Sequence, residues 1–205
     1  MNERNIVPFN RKEVTKKKLV SAVGAILSQE GFKGLGINKI AKKAQVDKKL
    51  IYRYFDGLPG LVYAYSETVD FWPTVDELLG PDPEKIRKMS GDDQMSFFFK
   101  SFLRALRKRP VTQDILAWEM LEKNELSKQL EHIRVKTALE YFEQMENLPD
   151  DKDLTAIVML MAGAIYFLLI RSRIDNSIGG LDLVTEEGWK RVEDGIDLLI
   201  HGTFN

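Results

Sequence analysis

The stretch IAKKAQVDKKLIYRYF, running from Ile40 to Phe55, holds two short helical patterns on either side of a break. Ile37, Ile40, Ala41 and Ala44 mark one apolar face of a short helix, and the break falls at Gln45 and Val46. Asp47 is a good N-cap for the next helix, whose apolar positions are Leu50, Ile51, Tyr54 and Phe55. Upstream, Leu19, Val20, Val23, Ile26 and Leu27 follow helical spacing until Gly31 stops them, and Gly34 and Gly36 loosen the connection. Three short helices with a three-residue break before the last fit a helix-turn-helix, whose final member lies in a DNA major groove. Ile40 and Ala41 suit a tight helix crossing, Val46 plugs the turn, and Ile51 and Phe55 anchor the last helix to the first. That leaves Lys48, Lys49, Tyr52 and Arg53 facing outward. Lysines at a helix start oppose the dipole, a local cost that phosphates would offset.

Charge distribution agrees. Residues 1–55 carry thirteen Lys or Arg against four Asp or Glu, a balance of +9, whereas residues 56–205 carry seventeen against twenty-seven, a balance of −10. A basic head on an acidic body suggests that the head meets a polyanion, although runs such as Lys16 to Lys18 can equally solvate a helix face. With 44% hydrophobic and 30% charged residues, the 205-residue chain has the composition of a folded globular protein. Cysteine is absent, which excludes disulfides and thiolate metal sites and accords with a reducing cytoplasm. The opening residues show no apolar segment of the signal-peptide kind.

Helical spacing recurs through the remaining sequence, without sustained β-like alternation. Gly57, Pro59 and Gly60 interrupt before a fourth helix expected from about Leu61 to Trp72. Pro73 to Gly91 reads as a loop with at most a short helix. Further helices are expected around Phe97 to Leu106, Ile115 to Lys123, from about Asn124 to Met145, Leu154 to Ile174 and Glu186 to Ile200. Leu148 to Asp151 reads as a turn with acidic caps, and a loop with Gly179 and Gly180 joins the last two helices.

The segment Leu154 to Ile170 has no charge over seventeen residues, just under the ~20 apolar residues of a membrane helix. A membrane span and a helix buried between its own subunit and a partner both fit. The character of the preceding sequence and the lack of a second such span favour the buried helix, with Ala162, Gly163 and Ala164 allowing close approach.

The run from Ile40 to Phe55, with LVSAVGAILSQEGFKGLGINK before it, resembles the tetracycline-repressor-like (TetR) family of bacterial regulators. The resemblance covers Val14 to Val62 and rests on Gly31, Ile40, Ala41, Ala44, Val46, Ile51, Tyr52, Tyr54, Phe55 and Leu61. Gln45 stands where that family usually has a turn glycine, Gly36 where it has a Ser or Thr cap, and Leu58 where it has a phosphate-binding lysine. Lys49 replaces a frequent glycine or proline, so Lys48 and Lys49 are placed to recover the lost grip. The resemblance implies Asn38, with Lys39 beside it, as a base or phosphate contact, and Lys48 and Lys49 as reaching guanine edges or phosphates. It implies Leu50 near a thymine methyl and Tyr52 and Tyr54 on phosphates; for Tyr54, a contact to the core or the first helix is the competing reading.

The expectation is therefore an all-α chain. Residues 1–60 form a three-helix helix-turn-helix head, and residues 61–205 a helical ligand-binding and dimerisation domain. Aromatic and methionine side chains are plentiful in the second part. Phe71, Phe98, Phe102, Trp118, Phe142 and Tyr166 are the candidate lining of an effector cavity; the competing reading of each is plain core. Trp118 and Glu119, adjacent on one helix, cannot easily face the same cavity; Glu119 or Glu122 either meets a cationic effector or forms an exposed salt bridge. A homodimer through the last two helices is expected, because one head grips too few base pairs and Trp189, Val192, Ile196, Leu199 and Ile200 form an apolar face. The resemblance implies a four-helix bundle across that dimer, with ligand binding relayed to the heads through the fourth helix.

The function expected is a sequence-specific DNA-binding regulator, a repressor that a small apolar or amphipathic effector releases from a palindromic operator, cytoplasmic and away from the membrane. No catalytic residue, metal ligand or cofactor is assigned. His132 and His201 lack any partner spacing for metal or triad chemistry, Asp92 and Asp93 read as caps, and no phosphate-cradling glycine loop is present. The alternative is a helical adaptor whose basic head binds an acidic protein.

Overall fold

The computed structural model describes residues 11–122, 124–148 and 152–204, so most of the turn expected at 148–151 lies outside the described residues. Among the described residues the chain is all-α apart from one small hairpin. Helix α1 (Arg11–Glu30) leads through a 3-10 turn (Phe32–Gly34) to α2 (Ile37–Ala44), α3 (Lys49–Phe55) and α4 (Leu58–Ser66). The body contains α5 (Val75–Leu79), α6 (Pro83–Arg87), α7 (Gly91–Arg107), α8 (Pro110–Leu121), α9 (Glu125–Phe142), α10 (Leu154–Arg171) and α11 (Glu186–Phe204).

The head closes around the stripe that the spacing predicts. Leu19, Val23, Ile26 and Leu27 of α1 are buried against Ile40, Ala41 and Ala44 of α2, Ile51 of α3 and Leu61 and Val62 of α4. Each Leu, Ile or Val side chain among them contributes ~1.5–3 kcal/mol by leaving water. Gly31 ends α1 in the left-handed region at φ 65°, its N–H bonded to the carbonyl of Leu27 at 3.0 Å. Gly60 is needed for space instead: a Cβ there would lie 1.9 Å from the carbonyl oxygen of Phe55, so α3 and α4 can meet this closely only over a glycine.

Three elements differ from their sequence expectation. Helix α4 begins at Leu58 because Pro59 falls in its first turn, where a missing N–H costs nothing. It ends at Ser66, where the hydroxyls of Ser66 and Thr68 donate to the carbonyls of Tyr63 and Tyr65, both at 2.7 Å, and the chain turns before Trp72. The segment after Pro73 holds two short helices. Thr74 accepts from the Glu77 N–H and Asp82 from the Lys85 N–H, and each cap starts a turn that buries Leu78 and Leu79, or Ile86. Strands β1 (Ser177–Ile178) and β2 (Leu181–Asp182) form an antiparallel hairpin over Gly179 and Gly180, both at positive φ, as a two-residue turn requires.

Helix α7 is the centre of the body, packing against α5, α8, α10 and α11. The body grips the head twice. Helix α8 lies on α1, and α9 lies on α4. Residue 60 falls within α4, which also packs on α1 and α3.

Candidate nucleic-acid interface and the cavity behind it

Between α2 and α3 the chain turns at Gln45, in the left-handed region at φ 57° and ψ 46°. A non-glycine residue pays ~1–2 kcal/mol for that conformation, and the packing of Val46 against the core holds it there. Asp47 caps α3 in practice: its Oδ1 accepts from the Lys49 N–H at 2.8 Å and its carbonyl from the Leu50 N–H at 3.0 Å. Gly36 supplies no side-chain cap to α2, whose first N–H groups therefore stay available to an external acceptor.

Ile51 is fully buried and fixes the rotation of α3, so the residues around it face water. Lys48, Lys49, Tyr52 and Arg53 are exposed, as are Asn38 and Lys39 at the start of α2. Lys48 Nζ donates to Asn38 Oδ1 at 3.2 Å, which ties the starts of the two helices into one polar edge. Lys39 is paired with Glu30 of α1. Leu50 is half-buried against the core. Tyr54 is half-buried with Lys12 of α1 5.8 Å from its ring centroid, so it stands beside α1.

A cavity of about 340 Å³ opens among α7, α9 and α10, toward the low end of the roughly 300–1,000 Å³ usual for ligand sites. Phe98, Phe102 and Tyr166 line it, joined by Trp72, Val158 and Met159. The other three candidates lie elsewhere. Phe71 is fully buried against Tyr65 and Trp72, and Phe142 stands behind Phe98 with ring centroids 5.0 Å apart. Trp118 lies at the head–body junction: its ring would be 2.7 Å from a Cβ on Gly31, and its Nε1–H donates to the carbonyl of Ser28 at 3.4 Å.

The neighbouring Glu119 projects to a different side of the helix. Arg134 of α9 lines the cavity above the Trp72 ring, and its guanidinium lies 2.8 Å from Glu119 Oε2 while Nη2 donates to Oε1 at 3.1 Å. Both side chains are more than four-fifths buried, so this is an interior pair and not an exposed bridge. Burial raises the Glu119 carboxyl above its ordinary range, with Arg134 opposing part of the effect. Burial also pushes the Tyr166 hydroxyl up to about 12. Glu122 is largely covered as well, at 3.4 Å from Lys33 of the head.

Asp92 and Asp93 gain a role their local sequence does not show. A ladder of charges joins α7 to α11, with Arg107–Glu186 and Lys100–Asp197 at 2.6 Å and Arg104 Nε to Glu193 at 2.7 Å. Its last rung is reversed: His201 Nε2 lies 3.1 Å from Asp93 Oδ1 and 3.6 Å from Asp92 Oδ2. His201 Nδ1 faces the carbonyl of Asp197 at 2.7 Å, which only an N–H can satisfy. With acceptors at both nitrogens, the hydrogen bond to Asp93 leads in raising the His201 pKa above its ordinary value. The ligand atoms of the three side chains lie within 4.8 Å of one another, a grouping hidden in a sequence that separates Asp93 from His201 by 108 residues.

Helix α10 exposes Met159, Leu160 and Phe167, and α11 exposes Leu198 and Leu199. Only 11% of α10 is buried, and by length and composition it is the one described helix apolar enough to cross a membrane.

Residues 19–64 match the family model described as bacterial regulatory proteins, tetR family. No curated protein matches the sequence significantly. Among solved structures, the chain is similar to a TetR-family transcription regulator from Marinobacter aquaeolei VT8, at 17% identity and TM-score 0.62 over 91% of this chain and 95% of that one. It is similar to the transcriptional regulator FadR from Bacillus subtilis, solved in complex with stearoyl-CoA, at 16% identity and TM-score 0.63 over 90% and 96%. A TetR-like transcriptional regulator from Rhodococcus sp. RHA1 gives 16% identity and TM-score 0.62 over 93% and 95%. At these identities the likeness establishes the fold over about nine-tenths of the chain, and the family model matches residues 19–64 of the head.

Proposed function

We propose that this chain, a TetR-family transcriptional regulator by its head and its fold, represses from a palindromic operator and is released by a small amphipathic effector. The observation that carries the reading is the outward edge of α2 and α3. Asn38, Lys48, Lys49, Tyr52 and Arg53 are exposed together on a scaffold whose opposite face is buried through Ile40 and Ile51. Such an edge supplies ammonium and guanidinium groups to phosphates and to guanine acceptors, and a phenol to the backbone. Leu50 and Tyr54 flank it, and Lys39 can leave Glu30 for a phosphate. Exposed ammonium, guanidinium and phenol groups of this kind suit binding to a polyanion.

Two heads are needed to span successive major-groove faces. The uncovered apolar faces of α10 and α11 supply the means, since a two-fold copy would bury Met159, Leu160, Phe167, Leu198 and Leu199 together. The resulting homodimer is read as cytoplasmic, with α10 covered by its partner instead of by lipid. The aromatic cavity receives the effector, and the stearoyl-CoA complex of the Bacillus subtilis regulator supports an amphipathic one.

Selection of bound sequences from a random duplex pool tests the reading. A recovered palindrome with a steep salt dependence is expected. Recovery of no preferred sequence, with tight binding to an acidic protein instead, would replace the regulator with an adaptor.

A further inference from the structure

Resting on the reading that the cavity receives the effector, we infer that the Glu119–Arg134 pair is its latch. An amphiphile with an anionic head displaces Glu119 from Arg134, and the loss of that pair is what the DNA-binding head registers.

The argument starts from the guanidinium. Arg134 is the basic group lining the cavity, beside Trp72, Phe102 and Tyr166, whereas Glu119 lies behind it on α8. A molecule in the cavity therefore meets a cation at its polar end. Arg134 Nη1 is buried and, although close to Glu119, makes no well-directed hydrogen bond among the described residues. A buried donor whose acceptor is poorly aligned gains less than a direct hydrogen bond would give, and a carboxylate that met it squarely would be favoured. Glu131, the other acid at the cavity, is exposed and screened by water. Met159 and Val158 offer an apolar lining for the tail. Burial already favours the neutral form of Glu119, which lowers the cost of losing its partner.

The pair also has a particular position in the fold. It joins α8 to α9, and these are the two helices that hold the head, through α1 and through α4. On α8 the grip consists of Trp118, packed on Gly31, and Asp114, whose Oδ2 accepts from Ser28 at 2.6 Å. Asp114 also meets Arg173 at 3.3 Å, just past the end of α10. Residues 118 and 119 thus project about a quarter-turn apart and meet different partners: one touches the head and the other touches the cavity's cation. Separating Glu119 from Arg134 frees α8 to move against α9, and so α1 against α4. Because α3 packs on α4 and α2 on α1, the two helices of the binding edge shift with them.

The full-length protein is titrated by calorimetry with sodium dodecanoate, dodecyltrimethylammonium and dodecanol, first alone and then on its selected palindrome. Dodecanoate should bind, and should weaken DNA binding at least tenfold. Arg134→Met, made with Glu119→Gln so that no buried charge is stranded, should abolish both effects. Glu119→Gln alone should bind dodecanoate more tightly, because the competing carboxylate is gone. Trp118→Ala should bind dodecanoate as the parent does while its DNA affinity no longer responds. Preference for the ammonium or the alcohol, or dodecanoate binding that survives in the double variant, overturns the assignment of Arg134. An unaltered DNA response in Trp118→Ala overturns the relay. Failure of the parent protein to select any palindrome overturns the regulator reading instead, and carboxylate binding at Arg134 is still decided by the titration without DNA.

Discussion

Lys48→Ala removes an exposed ammonium from the start of α3, where its Nζ meets Asn38 Oδ1 at 3.2 Å. Neither side chain is buried, so folding stability should change by no more than about 0.5 kcal/mol. Its effect on DNA depends on what the ammonium touches. A phosphate contact contributes ~0.9 to the slope of log affinity against log salt. In a dimer the substitution acts twice, so the slope should flatten by about 1.8. Between about 50 and 200 mM salt the ratio of parent to variant affinity should then change roughly twelvefold. A guanine contact behaves otherwise, costing ~1–3 kcal/mol per head with selectivity lost at one position of each half-site. Fluorescence anisotropy on the selected palindrome and on point-substituted duplexes, across a salt series, separates the two. Unchanged affinity and slope in both Lys48→Ala and Tyr52→Phe would refute the orientation assigned to α3.

Gly36→Ser should stabilise the head by about 1 kcal/mol, because the position is extended, nothing lies within 4 Å of the new Cβ, and α2 gains a cap. Thermal melting checks it, and no gain would mean the α2 N-terminus is already satisfied. Gly60→Ala should cost about 1–3 kcal/mol, because its Cβ meets backbone at Phe55 and α3 must shift; DNA affinity should fall with melting temperature. His201 makes α7–α11 packing sensitive to pH. Its raised folded pKa means that its stabilisation is complete below the unfolded value of 6.5 and is lost as pH rises through the folded value. Melting temperature should therefore fall more between about pH 6 and 8 in the parent than in His201→Gln. An equal fall in both would assign the dependence to other groups.

Much of the head is legible in sequence because its determinants are local. A 3.6-residue period sets the buried faces of α1 and α2, Gly31 sets a stop, and Asp47 sets a start. Even the two departures at Gln45 and Gly36 can be read along the chain: one adopts the left-handed turn, and the other leaves α2 without a side-chain cap. The capping patterns of Thr74 with Glu77 and Ser90 with Asp93 were equally local, and they explain the helices found after Pro73 and at Gly91.

The body is different, since its composition announces an aromatic interior without saying which rings face which space. Only the packing of α8 between α1 and α10 turns Trp118 onto Gly31 and Glu119 toward Arg134, fifteen residues away. Only the antiparallel course of α7 and α11 brings His201 to Asp92 and Asp93. The basic edge that opened the sequence reading was determined by residues within one or two turns of each other. The cavity behind it depends on which helix faces meet, and burial energy summed over the whole chain decides that.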